Sequence, residues 1–154
     1  MPVPAGRQIK LNRGYRMLPH TSDAYIEAWG RDVNEAFEQA AKGMFSVILD
    51  LRRVKKKEKR QIQLELNRDR HSLLYAWLER LLILFDTEKF VPRECNFRMI
   101  KEGKEGYKAY AYLTGEKFDA SRHSVKREVK AVTYHAMEIL EGQQRCTVRF
   151  ILDL

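Results

Sequence analysis

The order in which two hydrophobic periods alternate constrains this chain more than any single motif. Ala24, Ile26 and Ala28 share one face of an alternating stretch closed by Gly30, with Tyr25, Glu27 and Trp29 opposite. From Val33 the interval changes. Val33, Ala36, Phe37, Ala40, Met44, Phe45 and Ile48 recur at helical spacing, which predicts an amphipathic helix over 33–49. Asp32 stands where an N-cap belongs and Glu35 follows three positions later, the capping-box pattern. Ile62, Leu64 and Leu66 then alternate with Gln61, Gln63 and Glu65, a strand with one covered face and one polar face. Asp69 or Ser72 caps a second helix carrying Leu73, Leu74, Trp77, Leu78, Leu81, Leu82 and Phe85, a stripe that reads as core.

Beyond Pro92 the period returns to two. Cys95, Phe97 and Met99 and then Tyr107, Ala109, Ala111 and Leu113 flank a turn at 101–106, which predicts a hairpin. A polar break covers 119–124. Strand character resumes near Val129, turns at 141–144 and ends with Cys146, Val148, Phe150 and Leu152 on one face. The order β, α, β, α and then strands predicts an α+β fold, two helices packed on one face of a largely antiparallel multi-stranded sheet. The 154 residues suit one domain, 1–154.

Composition excludes several classes. The longest apolar run, Leu73–Leu78, is too short to span a membrane, so no membrane association is expected. Cys95 and Cys146 form neither a disulfide framework nor a zinc knuckle. The opening Met1–Gly6 lacks the apolar stretch of a signal peptide, so a cytoplasmic location is expected. The net charge of +8 is concentrated: Arg52–Arg60 carries a net +6, leaving +2 for everything else. That segment reads as a solvated strand edge guarded by charge, or as a steering surface for an anionic partner.

No phosphate loop, HExxH, EF-hand loop or GxSxG occurs, and no catalytic residue is assigned. The polar residues that invite attention sit at element breaks. His20 and Asp23 are three apart in His20-Thr21-Ser22-Asp23, a spacing that suits either a small site or an ordinary turn bonded to its own backbone. At the other end, Asp153 offers a carboxylate and Leu154, the last residue given, a backbone oxygen and a terminal carboxylate. Joined by Asp23 from a neighbouring strand, these oxygens suit a hard cation such as calcium or magnesium better than zinc. Periodicity alone does not establish that the two ends meet. A third group is Gly115-Glu116-Lys117-Phe118-Asp119 with His123, Lys130 and His135, read as ordinary hydrogen-bonded or salt-bridged residues or as an electrostatic docking surface.

Taken in order, these strings resemble the archease family. Leu18-Pro19-His20-Thr21-Ser22-Asp23 is similar to its L-[DP]-H-T-A-D opening, with Ser22 in place of the usual alanine. Glu35-Ala36-Phe37, Ser72–Leu78, Leu84-Phe85-Asp86-Thr87, Gly115-Glu116…Asp119…His123, Val129–His135 and Val148–Leu154 complete the match over about 15–154. Residues 1–14 and Arg52–Arg60 are less family-like. The resemblance implies a small α+β activator of the tRNA-splicing RNA ligase RtcB, not itself an enzyme. It would promote GTP-dependent guanylylation of a ligase histidine and multiple turnover. It also implies a metal site at Asp23, Asp153 and Leu154, with calcium the expected ion and magnesium or manganese also suited. His20, Ser22, Asp119, His123 and Lys130 are the accompanying partner or supporting residues. RtcB is the expected partner, and tRNA is contacted directly or only through the ligase. The alternatives from the residues are a stand-alone tRNA- or RNA-binding module using 52–60 and a metal-dependent phosphoesterase.

Overall fold

The computed structural model describes residues 12–20 and 22–154. Most of the 1–14 segment, and Thr21 of the opening motif, lie outside the described residues. The described elements run β1 (Gly14–Leu18), β2 (Ala24–Gly30), α1 (Val33–Ile48), β3 (Glu58–Asn67), α2 (Arg70–Glu88), β4 (Phe90–Glu102), β5 (Gly106–Lys117), β6 (Ala131–Glu141) and β7 (Cys146–Asp153). A short 3₁₀ turn at Leu51–Arg53 leads into β3. The expected antiparallel α+β architecture is present, and its strands divide between two sheets. One has four strands in the order β1-β2-β7-β6, the other three in the order β3-β5-β4. Strand order is set by partners far apart in sequence, such as β2 and β7, which local periodicity does not encode.

Both helices start at the expected caps. The Glu35 N–H donates to Asp32 Oδ1 at 2.9 Å, fixing the first turn of α1. Glu35 does not close the box onto Asp32; its carboxylate accepts from the Arg31 N–H and pairs with the Arg31 guanidinium. At α2 the box is complete, with Asp69 and Ser72 as its two members. Gly30 ends β2 where a side chain would collide with Glu35 and the backbone of Ala36, so the strand runs directly onto the helix start. Gly103 and Gly106 take positive φ in the β4–β5 hairpin turn.

The inner faces of both sheets meet the helices in one core. Trp77 of α2 is fully buried, its indole N–H donating to the Phe37 carbonyl of α1 at 2.9 Å. Its ring and that of Phe37 both pack on Phe97 of β4. Helix α1 also caps the free edge of β4: Phe97 N–H donates to Glu38 Oε2 and Met99 N–H to Asn34 Oδ1. Those donors would otherwise be an open template for another strand. Both cysteines are free thiols.

Strand β6 carries the main irregularity. Its pairing with β7 runs from Ala131↔Asp153 to Thr133↔Ile151 and resumes at Glu138↔Arg149. Four residues, 134–137, therefore stand against Phe150 alone. Ala136 takes φ +57°, and the Tyr134 ring stacks on Tyr75 of α2 at 4.3 Å.

Candidate functional site

The outer face of the four-stranded sheet is a ladder of side chains from β2 and β7. Antiparallel register pairs Trp29 with Thr147, Glu27 with Arg149 and Tyr25 with Ile151, and the last pair, Ala24 with Leu152, turns into the core. One step beyond the last pair, the same register sets Asp23 across from Asp153. Directly opposed residues lie about 4.5–5.5 Å apart at Cα and project to one side of the sheet. The strand pairing brings the start of β2 beside the end of β7, with Ala24 and Leu152 as the last pair before Asp23 and Asp153.

The neighbouring strands extend this row. Continuing the β1–β2 register from Leu18↔Tyr25 sets His20 across from Asp23, and the His20 ring meets Tyr25 edge-on at 6.0 Å. On the other side Ala131 pairs with Asp153, and the Lys130 main-chain N–H donates to the Asp153 carbonyl at 2.7 Å. Asp153 and Ala131 are paired within strands, while His20 and Asp23 lie just beyond the ends of β1 and β2. By the same continuation Ser22 comes across from Leu154. Asp23 and Leu154 are half-buried; Ser22, Asp153 and the Lys130 side chain are exposed.

Four residues along the strand, on the same face, the chemistry is different. Glu27 is buried and held between Arg16 Nε and Arg149 Nε, each at 2.8 Å. Burial pushes its carboxyl up, but the hydrogen bonds from Arg149 and Arg16 outweigh this and leave it below its ordinary range. Neither the Asp23 nor the Asp153 carboxylate has a hydrogen-bond or ion-pair partner among the described residues. Two opposed acids without a protein cation repel unless a proton or another cation compensates them. Two carboxylates with nearby backbone oxygens form an all-oxygen donor set, which fits a hard ion that retains waters. No cluster of three or more His, Cys, Asp or Glu side chains exists among the described residues, so a closed zinc site has no ligands here.

Asp119 and His123 make their contacts elsewhere, around Glu116. That carboxylate accepts from Arg122 Nη2 at 2.7 Å, the Lys55 N–H at 2.8 Å and His123 Nε2 at 2.9 Å. His123 Nδ1 accepts the Asp119 N–H, which leaves Nε2 as the donor to Glu116. The Arg122 hydrogen bond, against burial and with help from Lys55 and His123, brings Glu116 down to about 2. Asp119 itself folds onto Ser121, its Oδ1 accepting from both the N–H and the hydroxyl. The cluster ties the 119–123 loop to Lys55, in the segment that leads into β3. Arg122, Glu27 and Arg149 were not candidates from sequence, and Glu116 entered only as one member of the third group. Only the closeness of Glu116 to Arg122 and His123 in the chain signalled the first network.

The basic run at 52–60 is partly paired, with acidic partners for four of its seven cations. Arg52 pairs with Asp50 at 2.9 Å, Arg60 with Glu58 and Glu88 at 3.2 Å, Lys56 with Glu94 and Lys57 with Glu116 at 3.9 Å. Its strand, β3, is an edge of the three-stranded sheet. His135 lies exposed in the β6 bulge.

Comparison with known proteins is consistent across the chain. The family described as "Archease protein family (MTH1598/TM1083)" matches residues 15–154. "Protein archease" of Pyrococcus abyssi is 43% identical over 120 residues, covering 78% of this chain and 83% of that protein. "Protein archease" of Thermococcus gammatolerans is 38% identical over 143 residues, 92% of this chain and 99% of the relative. The solution structure of Methanobacterium thermoautotrophicum protein 1598 superposes with a TM-score of 0.76 at 37% identity, over 92% of this chain and 99% of that one.

Proposed function

This chain belongs to the archease family, and from that premise we propose that it activates an RtcB-type RNA ligase in tRNA splicing and is not itself the enzyme. In this reading it promotes GTP-dependent guanylylation of the ligase histidine and lets each ligase molecule turn over repeatedly. The observation that carries it beyond family likeness is the adjacency of the strand ends that carry Asp23 and Asp153, with no partner for either carboxylate among the described residues. Acids left uncompensated by the fold are suited to bind a cation, whereas Glu27 on the same face is already matched by two arginines.

Asp23, Asp153 and the Leu154 backbone oxygen are the residues that would hold a divalent ion, calcium by preference. When bound, the ion supplies positive charge at the rim of the sheet, where a nucleotide phosphate of the partner can meet it. The chain's own residues do the rest. The β2–β7 pairing holds the two strand ends that carry these carboxylates side by side. The Lys130 N–H, bonded to the Asp153 carbonyl, anchors the end of β7. Activation then follows from docking that favours the guanylylation-competent arrangement of the ligase over its alternatives. A cytoplasmic setting follows from this role, and no helix among the described residues is long and apolar enough to cross a membrane.

The test is reconstituted guanylylation and multiple-turnover ligation with the cognate ligase. The Asp23→Ala and Asp153→Ala variants should lose stimulation while keeping the parent circular dichroism spectrum. Full stimulation by both variants across a calcium titration overturns the role of the acidic pair. Absence of stimulation by the parent chain overturns the activator reading itself.

A further inference from the structure

The three-stranded sheet has a second face that ligase activation through the acidic row does not use. Ile62, Leu64, Phe97, Ala109, Ala111 and Leu113 point into the core. By the same alternation, Lys59, Gln61 and Gln63 of β3, Tyr110 and Tyr112 of the central β5, and Asn96 and Arg98 of β4 point outward. The registers place Gln61 and Asn96 on either side of Tyr112, and Gln63 and Arg98 on either side of Tyr110. All of these are exposed except Tyr110, which is half-buried. Tyr112 is 51% exposed, a large ring at the centre of a sheet with nothing among the described residues packed over it. The two tyrosine rings meet edge to face at 6.0 Å. A groove of about 550 Å³ runs beside Tyr112, bordered by Lys59, Gln61 and Thr114.

The chemistry of this face selects its occupant. Aromatic rings on an open central strand offer π faces to unstacked bases. Gln61, Gln63 and Asn96 each donate and accept, as base edges do. Lys59 and Arg98 have no ion-pair partner among the described residues, whereas Glu94 at the same end of the sheet is held by Lys42 at 2.8 Å. The surplus charge is therefore positive and available to phosphates. A protein partner would call for a contiguous apolar centre, and here amides surround the rings.

We propose that the outer face of the three-stranded sheet binds single-stranded nucleic acid: Tyr110 and Tyr112 stack on bases, Gln61, Gln63 and Asn96 meet base edges, and Lys59 and Arg98 meet phosphates. Of the basic run at 52–60 only Lys59 takes part. The site needs neither the ligase nor a metal, so its failure and that of the activator role are separable.

The test is fluorescence anisotropy of the full chain with labelled mixed-sequence single strands of about 12 nucleotides, a length within the usual range of site sizes. RNA, DNA and duplex RNA are compared. Single strands should bind more tightly than duplex, and affinity should fall steeply between about 50 and 200 mM salt. A preference for RNA over DNA assigns a contact to the 2′-hydroxyl, and equal affinity assigns a site general to single strands. The paired substitution Tyr110→Ala/Tyr112→Ala should weaken binding roughly tenfold or more, while Tyr110→Phe/Tyr112→Phe, which keeps both rings, should hold it within about twofold. Lys59→Glu/Arg98→Glu should weaken binding and flatten the salt dependence with the fold intact by circular dichroism. No measurable binding by the parent, equal or tighter binding of duplex, or unchanged affinity in both the alanine and the glutamate pairs overturns the proposal. So does a loss on Arg53→Glu/Lys55→Glu that the tyrosine and Lys59/Arg98 variants do not share.

Discussion

Glu116 and the Asp23–Asp153 pair are carboxylate sites in one small protein, and they differ in what the fold supplies to them. Glu116 is buried with a guanidinium, an imidazole and a main-chain N–H all directed at its two oxygens. Asp23 and Asp153 stand at neighbouring strand ends with no such donors among the described residues. A satisfied acid is a structural strut, and removing it strands its partners. An unsatisfied acidic pair costs the fold a little and is relieved only by something arriving from outside. The difference teaches that burial and a perturbed pKa do not by themselves mark a working site. Glu116 has both and is occupied by its neighbours.

Breaking the strut should give the largest effect. Glu116→Ala leaves His123 buried without its acceptor and Arg122 uncompensated. It should cost about 3 kcal/mol, the low end for a broken buried pair because Arg122 remains one-third exposed. Denaturant titration should show a lowered midpoint with an unchanged slope. An acid signature accompanies it. Glu116 falls from its ordinary 4.5 to about 2 in the folded protein, so its contribution is complete above about pH 4.5 and is lost as the pH falls toward 2. Glu116→Gln should flatten stability across that window. A substitution that leaves both midpoint and acid limb unchanged would remove the contrast between the two sites.

Calcium should come next in size. A single site at hundredfold excess over its dissociation constant stabilises the folded chain by about 2.7 kcal/mol. Thermal unfolding of the parent should rise with calcium, and Asp23→Asn or Asp153→Asn should each abolish the rise. Equal shifts in parent and variants would mean that the ion binds elsewhere. The smallest expected effect is that of the same asparagine variants without metal, within about 0.5 kcal/mol of the parent, since no protein partner is lost. A large destabilisation there would make the pair structural and erase its difference from Glu116.

Much of the fold was legible because its signals are local. Asp32 and Asp69 cap the helices where short polar residues precede apolar stripes, and the β4–β5 hairpin follows from alternation around a glycine turn. The division into two sheets was not legible, since it depends on β7 returning to β2 across most of the chain. The acidic residues were recognisable as candidates, but their opposition is a matter of register between distant strands. Tyr110 and Tyr112 were implied once Ala109 and Ala111 were assigned inward, for alternation leaves the tyrosines no other side. The Glu116 network was hidden because its donors, the Lys55 N–H, Arg122 and His123, come from segments on either side of β5 that local periodicity does not bring together.

The crowded stretch of β6 has a consequence for the crowded cell. β6 borders the four-stranded sheet, and a straight border would invite a second copy to zip on. Four residues squeezed against one break the row of evenly spaced amides, and the Tyr134 ring leans away to lie on Tyr75. Such a ragged hem offers no docking template, so this side of the sheet resists runaway self-assembly.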